Sequence, residues 1–560
     1  MTIKELRNSV KMSQEDFARI LGISRKTYIN LEKPNAEKET PNYEIYLKIL
    51  SNLFSTKFRC SVTLGDELKE YYNVVKKYKK RFCYKYLLDY INNDYRGKVC
   101  ILYGLRRTGK TTMLFQLLNE LDLAKTAYIK VNRSNTMNDL IDDIDLLKMR
   151  KAKYILIDEV TLIDNFIESC SVFSDIYSML GLKIILSGTD SLGFAFADRN
   201  ELYDRNVMIH TSYISFKEFS YVLDIDDVDK YIEYGGTLKH ENMSFNDPNY
   251  KNDEVSFLDD ESTRKYIDTA ICHNIQNSLK NYKYGTMFVH LRKLYENNEL
   301  TNAINRIIQD MTHSFLVSVI TKTFKSSDLG SSKNLLTHSR DKNIRESLDN
   351  INEEKVIKKL KEIIDVKEKE ETKLSIDEDI VYQIKDYLEL LDLTRNVEYR
   401  YDDGSVEDYT IFTQPGMRYS ITKALVYSLM EDTSFSSLKE KEAVINLILN
   451  DVKGRMLEDI VLLDTVTKSR DLNIFKYKLI TGGEVDMVIS KSNLHVDLYE
   501  IKHSSSISFE NQTRYLNDGK NLSLIEKQFG PIDSKNVIYR GEDSVVNGIN
   551  YINAEKYLKR

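Results

Sequence analysis

The chain has 560 residues, too many for a single core, so three or four domains are expected. Apolar content of 42% and aromatic content of 10%, with no Trp and 37 Tyr, excludes a disordered chain, and 5 Pro against 21 Gly leaves few helix breakers. A net charge of −6 decides nothing about nucleic acid; no apolar run is long enough to cross a bilayer and Met1–Arg7 has no signal-like apolar core, so a cytoplasmic protein without a membrane partner is expected.

Between Met1 and Lys33 seven bases face four acids. In SQEDFARILGISRKTYINLE, Ser13 is suited to cap a helix that turns Phe17, Ala18 and Leu21 to one side, and Gly22 permits a tight turn. A second helix opens at Ser24, with Tyr28 and Leu31 inward and Arg25, Lys26 and Asn30 outward. A helix entering the major groove needs this layout, although an ordinary helical hairpin with a solvated basic face shares the pattern. The stretch resembles the Cro/repressor-type helix-turn-helix, with Gln14, Ala18, Gly22 and Glu32 at that family's usual positions. The resemblance implies that Gln14 meets the DNA backbone while Arg25, Lys26 and Asn30 read the duplex. KPNAEKETPN interrupts the usual next helix, and helical pattern returns from Tyr43 to about Phe54. Residues 1–56 are read as this domain and 57–97 as linker helices, which hold a second basic cluster, Lys76 to Arg81.

VCILYGLRRTGKTTMLFQLL is the strongest pattern in the chain. An apolar strand, Val99 to Tyr103, runs into G-x-x-x-x-G-K-T from Gly104 to Thr111, followed by a helix with Met113, Leu114, Leu117 and Leu118 on its apolar side. In such a P-loop the backbone of Gly104, Arg107, Thr108 and Gly109 approaches phosphate, Lys110 reaches the β/γ-phosphates of ATP, and Thr111, with Thr112 beside it, serves Mg2+. Strands follow at Thr126–Val131 and Tyr154–Ile157, the latter ending in Asp158, a magnesium acid, and Glu159, suited to polarise water. A strand from Leu182 to Leu186 ends in Ser187-Gly188-Thr189-Asp190, a place for a γ-phosphate sensor. Arg199 and Arg205 are either surface residues or fingers for a neighbouring subunit, the latter implying a homo-oligomer. The segments GLRRTGKTT, ILIDEV, LSGTDS, SYISFKEF and YIEYGG together resemble the bacterial and archaeal AAA-type ATPases that carry a further C-terminal region. That family usually has Gly-Arg before a Pro-Leu-Ser-Phe-like segment, where this chain has Asp204-Arg205 and Tyr213-Ile214-Ser215-Phe216.

Asn242–Ser262 is polar and acidic and reads as a loop, Arg264–Lys280 as a helix, and Glu353–Glu371 as a charged amphipathic helix with a solvated face. Helical spacing at Ile380, Ile384, Leu388 and Leu391, then strands Val397–Arg400 and Tyr409–Thr413 around Asp402-Asp403-Gly404-Ser405, suggest a winged helix in a structural or regulatory role. Farther on, a helix presents Glu458, and GGEVDMVISKSNLHVDLYEIKHS forms a hairpin that sets Asp486 roughly opposite Glu500, with Lys502 on the same face as Glu500. Helix acid, then Asp, then Glu-x-Lys resembles the restriction-endonuclease-like layout, which implies Mg2+ on Asp486 and Glu500, with Glu458 and Lys502 assisting and Gln512 nearby. Glu484 offers Lys502 a plain cross-strand ion pair instead.

The expected fold class is multidomain α/β: a helix-turn-helix (1–56), linker helices (57–97), a P-loop ASCE/AAA-like parallel sheet (98–220), a helical lid region (221–300), a winged-helix-like region (301–417) and a C-terminal α/β restriction-endonuclease-like domain (418–560). Cys60, Cys83, Cys100, Cys170 and Cys272 form no C-x-x-C pair and read as small buried residues. The pattern points to a DNA-binding ATPase using ATP and Mg2+; an ATP-gated nuclease of genome defence and a nucleotide-switched transcriptional regulator are the alternatives.

Overall fold

The computed structural model describes residues 2–9, 12–55, 57–199, 201–238, 256–281, 288–325, 377–428, 438–469, 471–478, 483–492 and 494–560. Residues 242–255 of the expected acidic loop and the expected helix Glu353–Glu371 lie outside them. The chain divides into two units, Met1–Thr211 with His273–Gly285, and Ser212–Cys272 with Thr286–Arg560.

In the first unit, helices Gln14–Leu21 and Arg25–Leu31 are capped by the hydroxyls of Ser13 and Ser24, which accept from the amides of Asp16 and Thr27 at 3.1 Å each. Gly22 closes the first helix at φ +68°, a left-handed conformation that a Cβ strains. Phe17, Ala18, Tyr28 and Leu31 form a small core with Ile3, Leu6, Tyr43 and Leu50. A one-turn helix, Ala36–Glu39, occupies the interruption before helix Tyr43–Ser55.

The remainder of this unit is a six-stranded sheet of β1 (Ser61–Leu64), β2 (Val99–Tyr103), β3 (Thr126–Lys130), β4 (Tyr154–Asp158), β5 (Lys183–Gly188) and β6 (Asn206–His210), in the order β1-β3-β4-β5-β2-β6. β2 to β6 are parallel, and their continuous apolar runs follow from burial on both faces. On one face Ile101, Ile129, Ile157 and Leu186 pack with Leu140, Ile144 and Leu147 of helix Met137–Met149. On the other, Cys100, Leu102, Leu156 and Ile185 meet Tyr84, Leu87 and Tyr90 of helix Tyr84–Asn92 and Met113, Leu114 and Leu117 of helix Lys110–Leu117. Because β5 lies between β2 and β4, the P-loop and the Asp158-Glu159 pair end side by side along one edge, where ligands bind in such sheets.

Two assignments are corrected here. Residues 57–97 are not only linker helices, since β1 pairs antiparallel with β3 as an edge strand of the six-stranded sheet. The stretch 221–300 is not one lid, because His273–Gly285 belongs to the first unit.

The second unit has an eight-stranded sheet of β7 (Thr394–Tyr401), β8 (Val406–Phe412), β9 (Asn473–Lys478), β10 (Glu484–Ser490), β11 (Val496–Ile501), β12 (Ile532–Tyr539), β13 (Ser544–Val546) and β14 (Ile549–Asn553), ordered β13-β14-β12-β11-β10-β9-β7-β8. Helix Leu438–Lys468 precedes an antiparallel β9-β10-β11 meander, and helix Gly519–Phe529 leads to β12, parallel to β11. The β7–β8 hairpin is not the wing of a separate winged helix: β7 pairs in parallel with β9, and the Arg400 guanidinium lies 4.2 Å from the Phe475 ring centre, so the hairpin extends the C-terminal sheet across the expected boundary at 417. The register of β10 against β9 shifts between Val485 and Val488, which lets both valines, three residues apart, enter the core. Cys60, Cys100, Cys170 and Cys272 are buried and unbridged. Among the described residues no helix is long and apolar enough to cross a bilayer.

Asp143, 2% exposed, anchors β1 by accepting from the amides of Arg59 (2.9 Å) and Cys60 (2.7 Å). Asp143→Ala strands the buried Cys60 amide and the part-buried Arg59 amide, and urea unfolding is expected to show a loss of about 2–3 kcal/mol. Asp142→Ala, which removes only a half-exposed ion pair with Arg59, is expected to stay within about 0.5 kcal/mol of the parent.

Candidate functional site

β2 stops at Gly104, φ +143°, and the loop returns through Arg107 at φ +63° to Gly109 at φ +87°, which opens helix Lys110–Leu117. These positive-φ turns set the start of the helix against the loop, the arrangement that favours phosphate. Lys110 is 6% exposed and its Nζ donates to the carbonyls of Gly104 (2.8 Å) and Leu105 (2.9 Å). Burial draws its pKa down to about 8, against the opposing pull of Glu159 and Asp158.

Thr111 Oγ1 donates to Asp158 Oδ2 at 2.8 Å, joining the start of the P-loop helix to the end of β4. Tyr128 hydroxyl donates to the same oxygen at 3.0 Å, and the Glu159 amide donates to Asp158 Oδ1 at 3.1 Å. The Thr111 hydroxyl and Asp158 carboxylate are adjacent hard oxygen donors, a set that fits Mg2+. Glu159 sits at φ +58°, which turns it off the strand line, and burial followed by the Asp158 charge raises its pKa.

Ser187, in register with Leu102 near the end of β2, is fully buried, and its Oγ has no hydrogen-bond partner among the described residues. A Cβ on the next residue, Gly188, would come within 2.7 Å of Thr161 Oγ1, so β5 passes too close here for a larger side chain unless Thr161 shifts. Thr108 uses its hydroxyl inside the protein, donating to the Leu105 carbonyl (2.8 Å) and meeting Thr211 Oγ1 (2.7 Å). Arg107 is exposed and Thr112 half-buried.

Several residues at this site carried no signal of their own in sequence. Arg81, 5% exposed, donates through Nη1 to the carbonyls of Thr108 (2.7 Å) and Thr211 (2.8 Å). Helix His273–Asn281 holds the segment after β5: Asn274 Nδ2 donates to the Thr189 carbonyl at 2.6 Å, and the Ser278 hydroxyl donates to Asp190 Oδ1. Burial lifts the Asp190 carboxyl to about 6. The spacing of Asn274 and Ser278, one helical turn apart, was the available hint. Arg205, by contrast, is half exposed and pairs with Asp175 at 2.7 Å, and its carbonyl accepts from the Val99 amide at the start of β2. It therefore lies at the opposite end of the strands from its own P-loop. Arg199 ends helix Ser191–Arg199.

In the helix-turn-helix, Gln14 Nε2 donates to Glu32 Oε2 (2.7 Å), while Arg7 Nε (2.6 Å) and the Tyr28 hydroxyl (3.0 Å) donate to Glu32 Oε1. Burial works against the Glu32 carboxylate, but these hydrogen bonds prevail and lower its pKa. Gln14 thus braces the motif, and Arg25, Lys26 and Asn30 are exposed on its second helix.

The C-terminal hairpin does gather its acids. Lys502 Nζ donates to Glu500 Oε2 (2.6 Å) and Asp486 Oδ2 (3.1 Å), and the Ile501 amide donates to Asp486 Oδ2 (2.8 Å). Lys502 does not take Glu484 as its partner. Glu484 pairs instead with Arg455 (3.2 Å) and with buried Lys476 (3.3 Å), and both cations also pair with Glu458. Oxygens of Glu458, Glu484 and Asp486 lie within 4.8 Å of one another, a spacing that fits a divalent cation. Glu500 Oε1 is buried without a hydrogen-bond partner among the described residues, and burial with the Asp486 charge raises the Glu500 pKa well above the carboxylate range. Gln512 does not reach this group: its Nε2 donates to Ser504 Oγ and the Ser506 carbonyl, each at 2.9 Å.

With this geometry in view, residues 3–53 match the helix-turn-helix family model and residues 96–220 match that of an AAA domain. The chain is also similar, at 26% identity over 201 residues, to the uncharacterized protein MJ1544 of Methanocaldococcus jannaschii. That likeness spans 33% of this chain and 44% of the relative, less than half of its length.

A lysine with its pKa near 8 is fully charged below that pH and loses its charge above it. Equilibrium binding of ATP with Mg2+ is therefore expected to be level on the acid side and to weaken as pH rises through about 8, by up to about tenfold per pH unit. Lys110→Met is expected to bind weakly with no such break.

Proposed function

We propose that the chain is a DNA-binding, Mg2+-dependent ATPase that couples ATP binding and hydrolysis to DNA-associated activity. The observation that carries this reading is the bond between Thr111 and Asp158, with Glu159 turned off the strand beside it. When bound, Mg2+ would neutralise charge on the β- and γ-phosphate oxygens. Lys110 leaves its loop carbonyls for the phosphates, helix-terminal amides hold them, and Glu159, whose raised pKa makes it a better proton acceptor than an ordinary glutamate, orients and activates water. In this reading the Ser187 hydroxyl, which has no hydrogen-bond partner among the described residues, donates toward the γ-phosphate. Arg205 cannot serve the P-loop of its own chain, so a transition-state cation comes from the P-loop vicinity or from a second copy in a homo-oligomer. DNA is taken by Arg25, Lys26 and Asn30, and a cytoplasmic location suits such a partner.

Glu159→Gln is expected to keep ATP affinity within about threefold while turnover falls by about 100-fold or more, measured as released phosphate. Turnover unchanged in Glu159→Gln would reject Glu159 as the base. If turnover vanishes while the response of DNA affinity to ATP persists, the chain is a nucleotide-switched regulator.

A second reading, a Mg2+-dependent nuclease gated by ATP, is favoured by one feature, the buried and unpartnered Glu500 Oε1 beside Asp486 and Lys502. The helix, three-strand meander, helix, parallel-strand order of the C-terminal sheet supports the restriction-endonuclease-like reading. Against it, Arg455 and Lys476 already balance Glu458 and Glu484. If this reading holds, plasmid DNA is nicked with Mg2+ and ATP by the parent and left intact by Glu500→Ala and by Lys110→Ala; supercoiled plasmid surviving the parent protein rejects it.

A further inference from the structure

The segment Lys76–Tyr86, KKYKKRFCYKY, holds six bases and no acid in eleven residues, and nothing proposed above uses it. It joins helix Glu67–Val75 to helix Tyr84–Asn92, which packs on one face of the nucleotide sheet with the P-loop helix. The helix-turn-helix has its own core, and its residues Ile20, Ile49 and Leu53 line a cleft with Asp142, Leu146 and Met149 of helix Met137–Met149, which covers the other face. The basic segment is therefore a surface separate from the reading helix.

Its side chains are more than a solvated charged run. Lys76, Lys77, Lys80 and Lys85 are exposed, yet so are two rings among them, Phe82 at 40% and Tyr86 at 51%. Ammonium groups lie by aromatic faces, Lys80 at 4.4 Å from the Tyr84 ring centre and Lys85 at 5.0 Å from that of Tyr86. Lys80 also meets Glu120 at 2.9 Å. Cations for phosphates interleaved with flat faces for bases are what a single strand needs.

The segment is also tied to the nucleotide loop. Arg81, in its middle, turns inward and bridges the carbonyls of Thr108 and Thr211, and Thr108 immediately precedes Gly109-Lys110. Gln116 of the P-loop helix donates to the Tyr78 carbonyl at 2.9 Å. We propose that Lys76–Tyr86 is a second nucleic-acid surface, taking a single DNA strand with its phosphates on the lysines and its bases on Phe82 and Tyr86, and that Arg81 carries its occupation to the P-loop. The surface stands independently; its effect on turnover rests on the ATPase reading.

The test is equilibrium binding of a short fluorescent oligothymidylate to the full chain across a salt series, with ATP turnover measured alongside. Replacing Lys76, Lys80 and Lys85 together by Gln is expected to weaken binding by about tenfold or more at low salt and to reduce the salt slope by about two. Phe82→Ala with Tyr86→Ala is expected to weaken binding without changing the slope. Arg25→Ala with Lys26→Ala is expected to leave oligothymidylate binding within about twofold, because base-edge readers contribute little to a strand held elsewhere. Turnover is expected to rise with oligothymidylate in the parent and not in the triple variant, whose turnover without DNA is unchanged. Equal binding and slope in the parent and triple variant would overturn the proposal, as would loss confined to the Arg25/Lys26 variant or, in that variant, tighter binding of a duplex of equal length. Binding to phosphatidylserine vesicles but not to oligothymidylate would overturn it in favour of a membrane partner. No turnover in any sample, with strand binding present and lost in the triple variant, would contradict the ATPase reading and uphold the surface.

Discussion

Asp158 accepts from Thr111 across a gap that the sheet itself does not bridge, since β5 separates the strand that feeds the P-loop from the strand that ends in this acid. Both its oxygens are occupied, one by the Thr111 and Tyr128 hydroxyls and the other by the Glu159 amide. An ionised carboxylate this buried is costly without such donors, and with them it becomes a fixed negative point around which the loop, the helix and Glu159 are set. The buried Lys110 depends on the same negative point, because Asp158 and Glu159 partly offset the desolvation that draws its pKa down. Glu159, whose amide donates to this carboxylate, holds a left-handed φ of +58°, as strained residues do where geometry is held for a ligand.

The C-terminal cluster solves the same problem differently. Four carboxylates, Glu458, Glu484, Asp486 and Glu500, come together with Arg455, Lys476 and Lys502, so the group is balanced almost entirely by the chain's own cations. Such a network holds its elements in register, and removing one partner strands a buried charge at a cost of about 3–5 kcal/mol. Burial and the Asp486 charge raise the Glu500 pKa well above the carboxylate range, and its second oxygen has no hydrogen-bond partner among the described residues.

Local patterns were legible in the sequence and long-range partnerships were not. The strand, loop and helix around Gly104–Thr111 follow each other within one short stretch, and the caps Ser13 and Ser24 act within three residues, so composition and spacing revealed them. The hairpin register that sets Asp486 by Glu500 was equally local. β1 escaped notice because a four-residue edge strand has no period to read, and its place depends on pairing with β3 more than sixty residues away. The β7–β8 hairpin was visible as a hairpin, but its parallel pairing with β9 decides to which sheet it belongs. Arg81, Asn274 and Ser278 reach the nucleotide site from distant segments. The partners of Glu484 likewise lie on a helix and a neighbouring strand, which is why Lys502 looked available to it.

The most direct test of the account is calorimetric titration of the full chain with ATP, with and without Mg2+, beside Asp158→Asn. If Asp158 organises the site, the parent binds ATP more tightly with Mg2+ by about tenfold or more, and Asp158→Asn binds weakly with no gain from the metal. Equal affinity with and without Mg2+ in the parent, or an unaltered gain in Asp158→Asn, would contradict the central role given to that carboxylate.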